Sequence, residues 1–591
     1  MCGILGVSDK QGIFNTEVFK RLQRLEYRGY DSCGISAYSR HWQTQKYVGS
    51  VSDALPQIDS DKAFKASIAH TRWATHGEVN SKNTHPHISY NKEVTLVHNG
   101  VIENFQEIKN FLESKDIKHY SDTDSEVIAN LLAYQLSQTF NFKKNTFLQA
   151  LQVSLRQLQG SYAIAFICKR CSDKIFYAKK GSPLVLGREK ARSYVSSDIY
   201  TFIDKTDQVL YLNDGDYGYA SANKVVRFNL KTTKEQGTNW TKVSSTYHST
   251  DLGDYQHYMI KEICEQKDIV QNTIKGQSEK ELNNIINLIS NARRVLFSAC
   301  GSSYYASMIA SRFFWLGGII STNILSSEFV SHEETFKETD LVICVSQSGE
   351  TADIIDSINI AKRQGCKVVA IVNTPNSTID RMSDYSIYLN AGPEICVLST
   401  KSFTSQVALF ILIFNKMFQG SVSFKSIESN IYELVAESTR QIVRNIAELI
   451  HKKEHIYCLG KGNQYPVALE AALKIKEVSY IHAEGFAGGE LKHGSIALIE
   501  RGTPCILFIN KKHSLELLAN GAELKSRGAI IIGVAEENNE LFDYFIRVNG
   551  CDFSLPLLQI IPIQLLAYNL AILRSLDPDK PRNLAKSVTV K

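Results

Sequence analysis

No basic segment followed by an apolar stretch stands at the start of this 591-residue chain, so no export signal is expected. Long apolar runs are missing as well. The longest, "FFWLGGII" (313–320) and "LLAYNLAIL" (565–573), are expected to be too short to span a bilayer. Charge of one sign is scarce: 66 Lys+Arg against 61 Asp+Glu leave a net +5, with no Lys/Arg block longer than three. That balance argues against nucleic acid or an anionic membrane as partner. The twelve cysteines are irregularly spaced; Cys168 and Cys171 come nearest to a metal pair, but no second pair accompanies them. A reducing, cytoplasmic setting is the expectation. What remains is a packed globular chain, 43% hydrophobic and 21% charged, long enough for three to four domains.

Residues 1–230 mix short strands such as "VTLVHNG" (94–100) and "SYAIAFIC" (161–168) with a capped helix over "SDTDSEVIANLLAYQLSQ" (121–138). Residues 231–252 are polar and Thr/Ser-rich, the best linker candidate in the chain. Beyond them the texture becomes apolar strand, short loop, long helix: "RVLFSACGSS", "DLVICVSQSGET", "KVVAIVN". Such alternation predicts parallel α/β units. The pattern then recurs. Gly301 to Gly460 is 159 positions and Gly365 to Gly528 is 163, which predicts a duplicated domain, 253–425 and 426–580, followed by a tail, 581–591.

Candidate chemistry sits at the strand-to-helix junctions. "SQSGET" offers Ser346, Gln347, Ser348 and Thr351 as donors around Gly349, and "CGSS" adds Ser302 and Ser303. Helix N-capping accounts for one hydroxyl per helix, whereas hydroxyls and glycines at two neighbouring junctions suit a phosphate. Neither loop is a dinucleotide or ATP fingerprint. Glu470, Lys474 and Glu477 stand at i, i+4 and i+7, one charged helix face that spacing alone assigns to solvent. His493 lies between glycines in "GGELKHG". His70, His76, His85, His87 and His98 cluster in sequence but form no HxxxH helix pair, so no metal is expected and polar loops around a substrate fit better. Cys2 follows the initiator Met1 directly. Removal of Met1 leaves a thiol and a free amine on one carbon, and an α-amine of pKa about 7.7–8.0 can act as the base the thiol needs. The Asn99 side chain and the Gly100 N–H are then a suitable oxyanion pair.

Taken together, "CGILG", "LEYRGYDSCGI", "TRWATHG", "HNG" and "SDTDSE" resemble the glutaminase domain of class II, N-terminal-nucleophile amidotransferases. "CGSSYYA", "SQSGET", "LSTKSF", "ALKIKE", "GELKHG" and "PRNLAKSVTV" resemble the sugar-isomerase domains of the glutamine–fructose-6-phosphate aminotransferase (isomerizing) family, and the match runs in order along the chain. The resemblance implies an αββα glutaminase domain followed by two parallel-sheet, Rossmann-like sugar-isomerase (SIS) domains, an α/β and α+β multidomain protein. It implies that Cys2 attacks glutamine, that Arg72 grips the glutamine carboxylate and Asp124 its amine, and that Trp73, Thr75 and His76 close over it. Ser302, Ser303, Ser346, Gln347, Ser348 and Thr351 match the phosphate set, with Val397 and Ser399 beside the sugar. Lys586 matches the Schiff-base lysine, Glu477 the base between C1 and C2, with Lys474 and Glu470 beside it. His493 matches a ring-opening residue contributed by the neighbouring subunit. The implied partners are L-glutamine and fructose 6-phosphate in a cytoplasmic homodimer, with no cofactor and no metal. Departures from the family pattern are Cys396 and Leu398, which are expected to narrow a wall near the sugar, Ser302 in place of a common Thr, and Lys591 where an acid is common.

Overall fold

A computed structural model describes residues 2–59, 62–74, 77–138, 146–243 and 252–589. Met1, Thr75, His76, Lys591 and residues 244–251 of the expected linker lie outside the described residues. The chain divides into two compact units, Met1–Tyr247 with Ala585–Lys591, and His248–Leu584.

In the first unit an eight-stranded and a seven-stranded antiparallel sheet lie face to face. Alternation along Gly3–Phe14 sets the layering, because successive side chains leave a strand on opposite faces. Ile4 joins Ile68, Val97, Ala165 and Val195 in the inter-sheet core. Leu5 and Val7 point the other way, onto Val18, Phe19 and Leu22 of the helix Asn15–Leu22. On the far side, Leu96 and Ile164 pack against Val127 and Leu131 of the helix Asp124–Ser137. The result is the αββα order. Thr123 caps that helix, accepting the Glu126 N–H at 3.3 Å, and Glu126 reaches back to the backbone N–H groups of Tyr120, at 2.8 Å, and Ser121. The expected linker is corrected in its first half. Glu235–Gln236 pairs with Lys224–Asn229 and Thr241–Lys242 with Gln208–Tyr211, extending an edge of each sheet, and Val243 is buried.

The second unit holds two five-stranded sheets, all of whose pairings are parallel. In each, the first strand (Val295–Ala299, then His455–Gly460) lies between the second and third, and the fourth and fifth follow outward. This shared order, 2-1-3-4-5, is the duplication written in topology. It places a switch point between the first and third strands, where a crevice opens at their carboxyl ends. One expectation about apolar length fails. "LLAYNLAIL" is the second half of the helix Leu555–Leu573, whose 19 residues and mean window hydropathy of 1.6 would suffice to cross a membrane. That window is 83% buried, so the helix is the spine of the second unit's core.

Candidate active sites

In the first unit, Cys2, Arg72, Trp73, Asn99, Gly100 and Asp124 belong to four neighbouring segments. The Cys2 thiol is half-buried, accepting the Trp73 N–H at 3.2 Å and facing the Trp73 carbonyl at 3.4 Å. Burial pushes its pKa up, against the pull of the Trp73 N–H and of Arg72. A thiol of this kind needs a base. The Asn99 amide donates to the Cys2 carbonyl at 2.8 Å and to Ser197 Oγ at 2.9 Å. Gly100 has φ +127°, and a Cβ there would overlap the Ser161 carbonyl, so only glycine fits. Arg72 closes the strand Ala63–Arg72 and donates to the carbonyl oxygens of Gly77 at 3.2 Å and Glu78 at 3.4 Å. Asp124 is buried and accepts the Ile102 N–H at 3.0 Å. Trp73 packs edge-on against Tyr30, with ring centroids 5.7 Å apart.

The histidine expectation is corrected here. His70, His85, His87 and His98 do not line polar loops but lie buried together, His70 stacked on His85 at 4.0 Å and His87 edge-on to His85 at 4.7 Å. The tract spans strands of facing sheets, and so its polar residues turn inward.

In the second unit, the Ser346–Thr351 loop leaves the third strand, Leu341–Ser346, and leads to the helix Ala352–Arg363. Ser346 Oγ accepts the Gly349 N–H at 3.0 Å and lies 3.2 Å from Thr351 Oγ1, and Ser348 Oγ accepts the Glu350 N–H at 3.2 Å. Gly349 has φ +67° and no room for a Cβ, which would overlap Ser377 Oγ. Next door, Ser302 and Ser303 open the helix Gly301–Leu316, with Ser303 Oγ accepting from Gln406 at 2.9 Å.

The charged stripe faces inward, contrary to its spacing-only reading. Glu470 and Lys474 are 0% and 1% exposed because their helix, Gln464–Ser479, packs on Gly301–Leu316. Lys474 Nζ is 2.6 Å from Glu477 and 3.5 Å from Glu470, and the Glu470 carboxyl lies near Ser302. Burial raises the Glu470 carboxyl to about 7, with Lys474 opposing and Glu477 adding. Burial also works against the Lys474 cation, but Glu470 and Glu477 outweigh it and hold it charged. A proton-holding carboxyl, a fixed cation and a second carboxylate beside a hydroxyl-lined junction are a set with the chemistry of general acid–base catalysis.

Three comparisons bear on this arrangement. Residues 288–416 and 448–574 match the SIS domain model, and 70–204 the glutamine amidotransferase domain model. Glutamine–fructose-6-phosphate aminotransferase (isomerizing) of Thermococcus kodakarensis is 37% identical over 610 aligned residues, covering 100% of both chains, and that of Thermotoga maritima is 37% identical over 620, also covering 100% of both. The chain belongs to the glutamine–fructose-6-phosphate aminotransferase (isomerizing) family. Among solved structures, the C-terminal domain of glucosamine-fructose-6-phosphate aminotransferase from Francisella tularensis aligns over 56% of this chain and 100% of its own, with a TM-score of 0.51 and 34% identity.

Within this aminotransferase, several residues that carry the site's geometry have no sequence signature. Buried Glu262 accepts the N–H groups of Ile395 at 2.5 Å and Cys396 at 3.2 Å. Buried Glu394 accepts those of Thr400 and Ser402, each at 3.0 Å. Together they fold the loop that presents half-buried Val397 and Ser399. Asp579 accepts the Tyr258 and Met259 N–H groups at 2.7 Å each, while its carbonyl accepts from Val397 at 3.2 Å. Tyr480 receives the Arg582 N–H at 2.7 Å, and the Arg582 guanidinium stacks over its ring at 4.2 Å. Apart from those of Glu394, these bonds join residues far apart in sequence, so no local pattern reveals them. Cys396 and Leu398 are fully buried in the core, Cys396 with its thiol 3.5 Å from the Pro578 carbonyl. His493 is exposed on the turn Gly488–His493, and Lys586 is half-buried in the tail segment that groups with the first unit.

Proposed function

We infer that this enzyme takes the side-chain nitrogen of L-glutamine and delivers it as ammonia to fructose 6-phosphate, giving glucosamine 6-phosphate and glutamate. The observation that carries the reading is 37% identity along the full length to an enzyme of that name, combined with buried Glu470 and Lys474 and half-buried Glu477 beside the Ser302 junction. Cys2 attacks the glutamine amide, with the α-amine freed by loss of Met1 as its base and Asn99 and Gly100 as oxyanion donors. Arg72 and Asp124 hold the amino-acid end of glutamine, and Trp73, Thr75 and His76 close over it. Ser302, Ser303, Ser346, Gln347, Ser348 and Thr351 hold the phosphate, with Val397 and Ser399 at the sugar. Lys586 forms the imine with the open-chain ketose, Glu477 moves the proton between C1 and C2, and Lys474 and Glu470 tune it. Ammonia in bulk water at neutral pH is mostly ammonium and not nucleophilic, so the transfer requires a passage closed to solvent.

We place the enzyme in the cytoplasm as a homodimer that uses no cofactor and has neither nucleic acid nor membrane as a partner. All twelve cysteines are free, which fits a reducing setting. An exposed His493 on a glycine-flanked turn suits a residue that completes a partner's site.

The test is Cys2→Ala. Glutamine-driven synthesis of glucosamine 6-phosphate should fall to background while isomerisation of fructose 6-phosphate survives. Mass spectrometry should find Met1 removed and Cys2 carrying the label from an electrophilic glutamine analogue. Undiminished synthesis by Cys2→Ala would sink the assignment.

A further inference from the structure

The proposed mechanism uses Asn99 but not the buried histidines behind it. His70 Nε2 faces two oxygens, the His98 carbonyl at 3.1 Å and Asn99 Oδ1 at 3.0 Å. Both are acceptors only, so Nε2 carries the proton. Nδ1 of the same ring is buried with no hydrogen-bond partner among the described residues, as suits its bare tautomer. Stacking on His85 fixes the ring plane, and His85 is held in turn because its Nδ1 accepts the His98 N–H at 3.3 Å. The His98 ring then lies 2.9 Å from Ser125 Oγ, whose hydroxyl donates to Asp124 at 3.2 Å. Burial pushes the His70 pKa down to about 3, so the ring is a neutral donor.

We infer that His70 is a positioning residue for the glutaminase step: its Nε2–H clamps Asn99 Oδ1 so that Asn99 Nδ2 stays aimed at Cys2. The inference rests on the proposed role of Asn99 as oxyanion donor. Asn99 Nδ2 has two hydrogens, now given to the Cys2 carbonyl and to Ser197 Oγ. Whichever one turns toward a tetrahedral oxyanion gives up its present hold on the amide. The bond to His70 uses the opposite end and persists. A flipped amide would set its NH₂ against the His70 N–H, donor against donor in a buried place, and would offer a lone pair to the oxyanion.

The experiment measures glutamine hydrolysis by the full chain with fructose 6-phosphate present, in the parent, His70→Leu, His70→Gln, Asn99→Ala and the double variant His70→Leu/Asn99→Ala. His70→Leu should lower kcat by about 10²-fold, the scale of a lost oxyanion donor, with KM for glutamine changed less than about 3-fold. His70→Gln, whose amide N–H can replace the donor, should recover most of that loss. In the Asn99→Ala background, His70→Leu should cost less than about 2-fold more, because the amide it orients is gone. Isomerisation of fructose 6-phosphate should be unchanged in His70→Leu and His70→Gln. Losses that multiply in the double variant, or a change confined to KM, overturn the inference. Should His70→Leu lower the unfolding temperature, the decision passes to His70→Gln, and a loss there as deep as with Leu overturns it. A parent chain that hydrolyses no glutamine overturns the underlying reading, and the inference with it.

Discussion

The two sugar-isomerase domains share one strand order and differ at the same place. In the first, the switch-point junctions carry hydroxyls, Ser302, Ser303, Ser346, Ser348 and Thr351, of which Ser302, Ser303 and Ser346 are buried. In the second, the matching junctions fill themselves. Lys461 pairs with Glu516, Lys511 with Glu536 at 3.0 Å, and the His513 ring sits over Gly462, where a Cβ would meet it at 3.0 Å. The helix that leaves the second domain's first junction, Gln464–Ser479, brings Glu470, Lys474 and Glu477 to the first domain instead. Duplication thus supplied two crevices. One carries the hydroxyls proposed as the phosphate cradle, and the other is closed by its own ion pairs while its helix lies against the first domain.

That contrast is sharpest in its lysines. Lys474 is 1% exposed between two carboxylates, whereas Lys461 is on the surface. Lys474→Met should cost about 3–5 kcal/mol, since it strands buried carboxylates whose cation is gone. Lys461→Met should cost less than about 1 kcal/mol, as exposed pairs do. Chemical denaturation followed by fluorescence reads both, and similar losses would mean that the second junction is no mere surface. The glycines come next. Gly349→Ala drives a Cβ into Ser377 at a left-handed φ of +67°, and should lower kcat/KM for fructose 6-phosphate by about 10²-fold by displacing the loop. Gly462→Ala, at φ +61°, meets only a half-exposed His513 ring and should change kcat/KM less than about 3-fold. Equal effects would break the distinction between cradle and closed copy.

The duplication could be read from sequence because strand, glycine loop and helix repeat, although the joint that Gly301 marks, two residues past its strand at φ +54°, is matched by Gly462 at φ +61° rather than by Gly460, which ends its strand. The residues proposed for the glutaminase step, Cys2, Asn99 and Asp124, could be singled out because they sit on local motifs. Direction was not legible. Spacing of i, i+4 and i+7 puts Glu470, Lys474 and Glu477 on one face but says nothing of what covers it; packing on Gly301–Leu316 decides. Two-residue edge strands such as Thr241–Lys242 are too short for alternation to show, so a polar sheet edge looked like a linker. Glu262, Glu394 and Asp579 cap N–H groups contributed partly by distant segments, and His70 meets His98 and Asn99 across facing sheets. Only the folded chain brings those partners together.

The smallest expected effect tests the wall itself, through Glu470. Its carboxyl is raised from 4.5 to about 7 by burial, with Lys474 opposing. Below pH 4.5 the group is protonated folded and unfolded alike, so it contributes no pH dependence. Between 4.5 and 7 the unfolded chain releases a proton that the folded chain keeps, and stability falls as pH rises. Above 7 both states are ionised and the loss is complete, at most about 3 kcal/mol for a shift of this size. Glu470→Gln removes the titration while keeping the shape. Its unfolding temperature relative to the parent should therefore climb between pH 4.5 and 7 and then level off. Gly462→Ala, on the closed copy, should show no such climb. A flat difference for Glu470→Gln would mean that the carboxyl is ionised across that range and that Lys474, not burial, governs it.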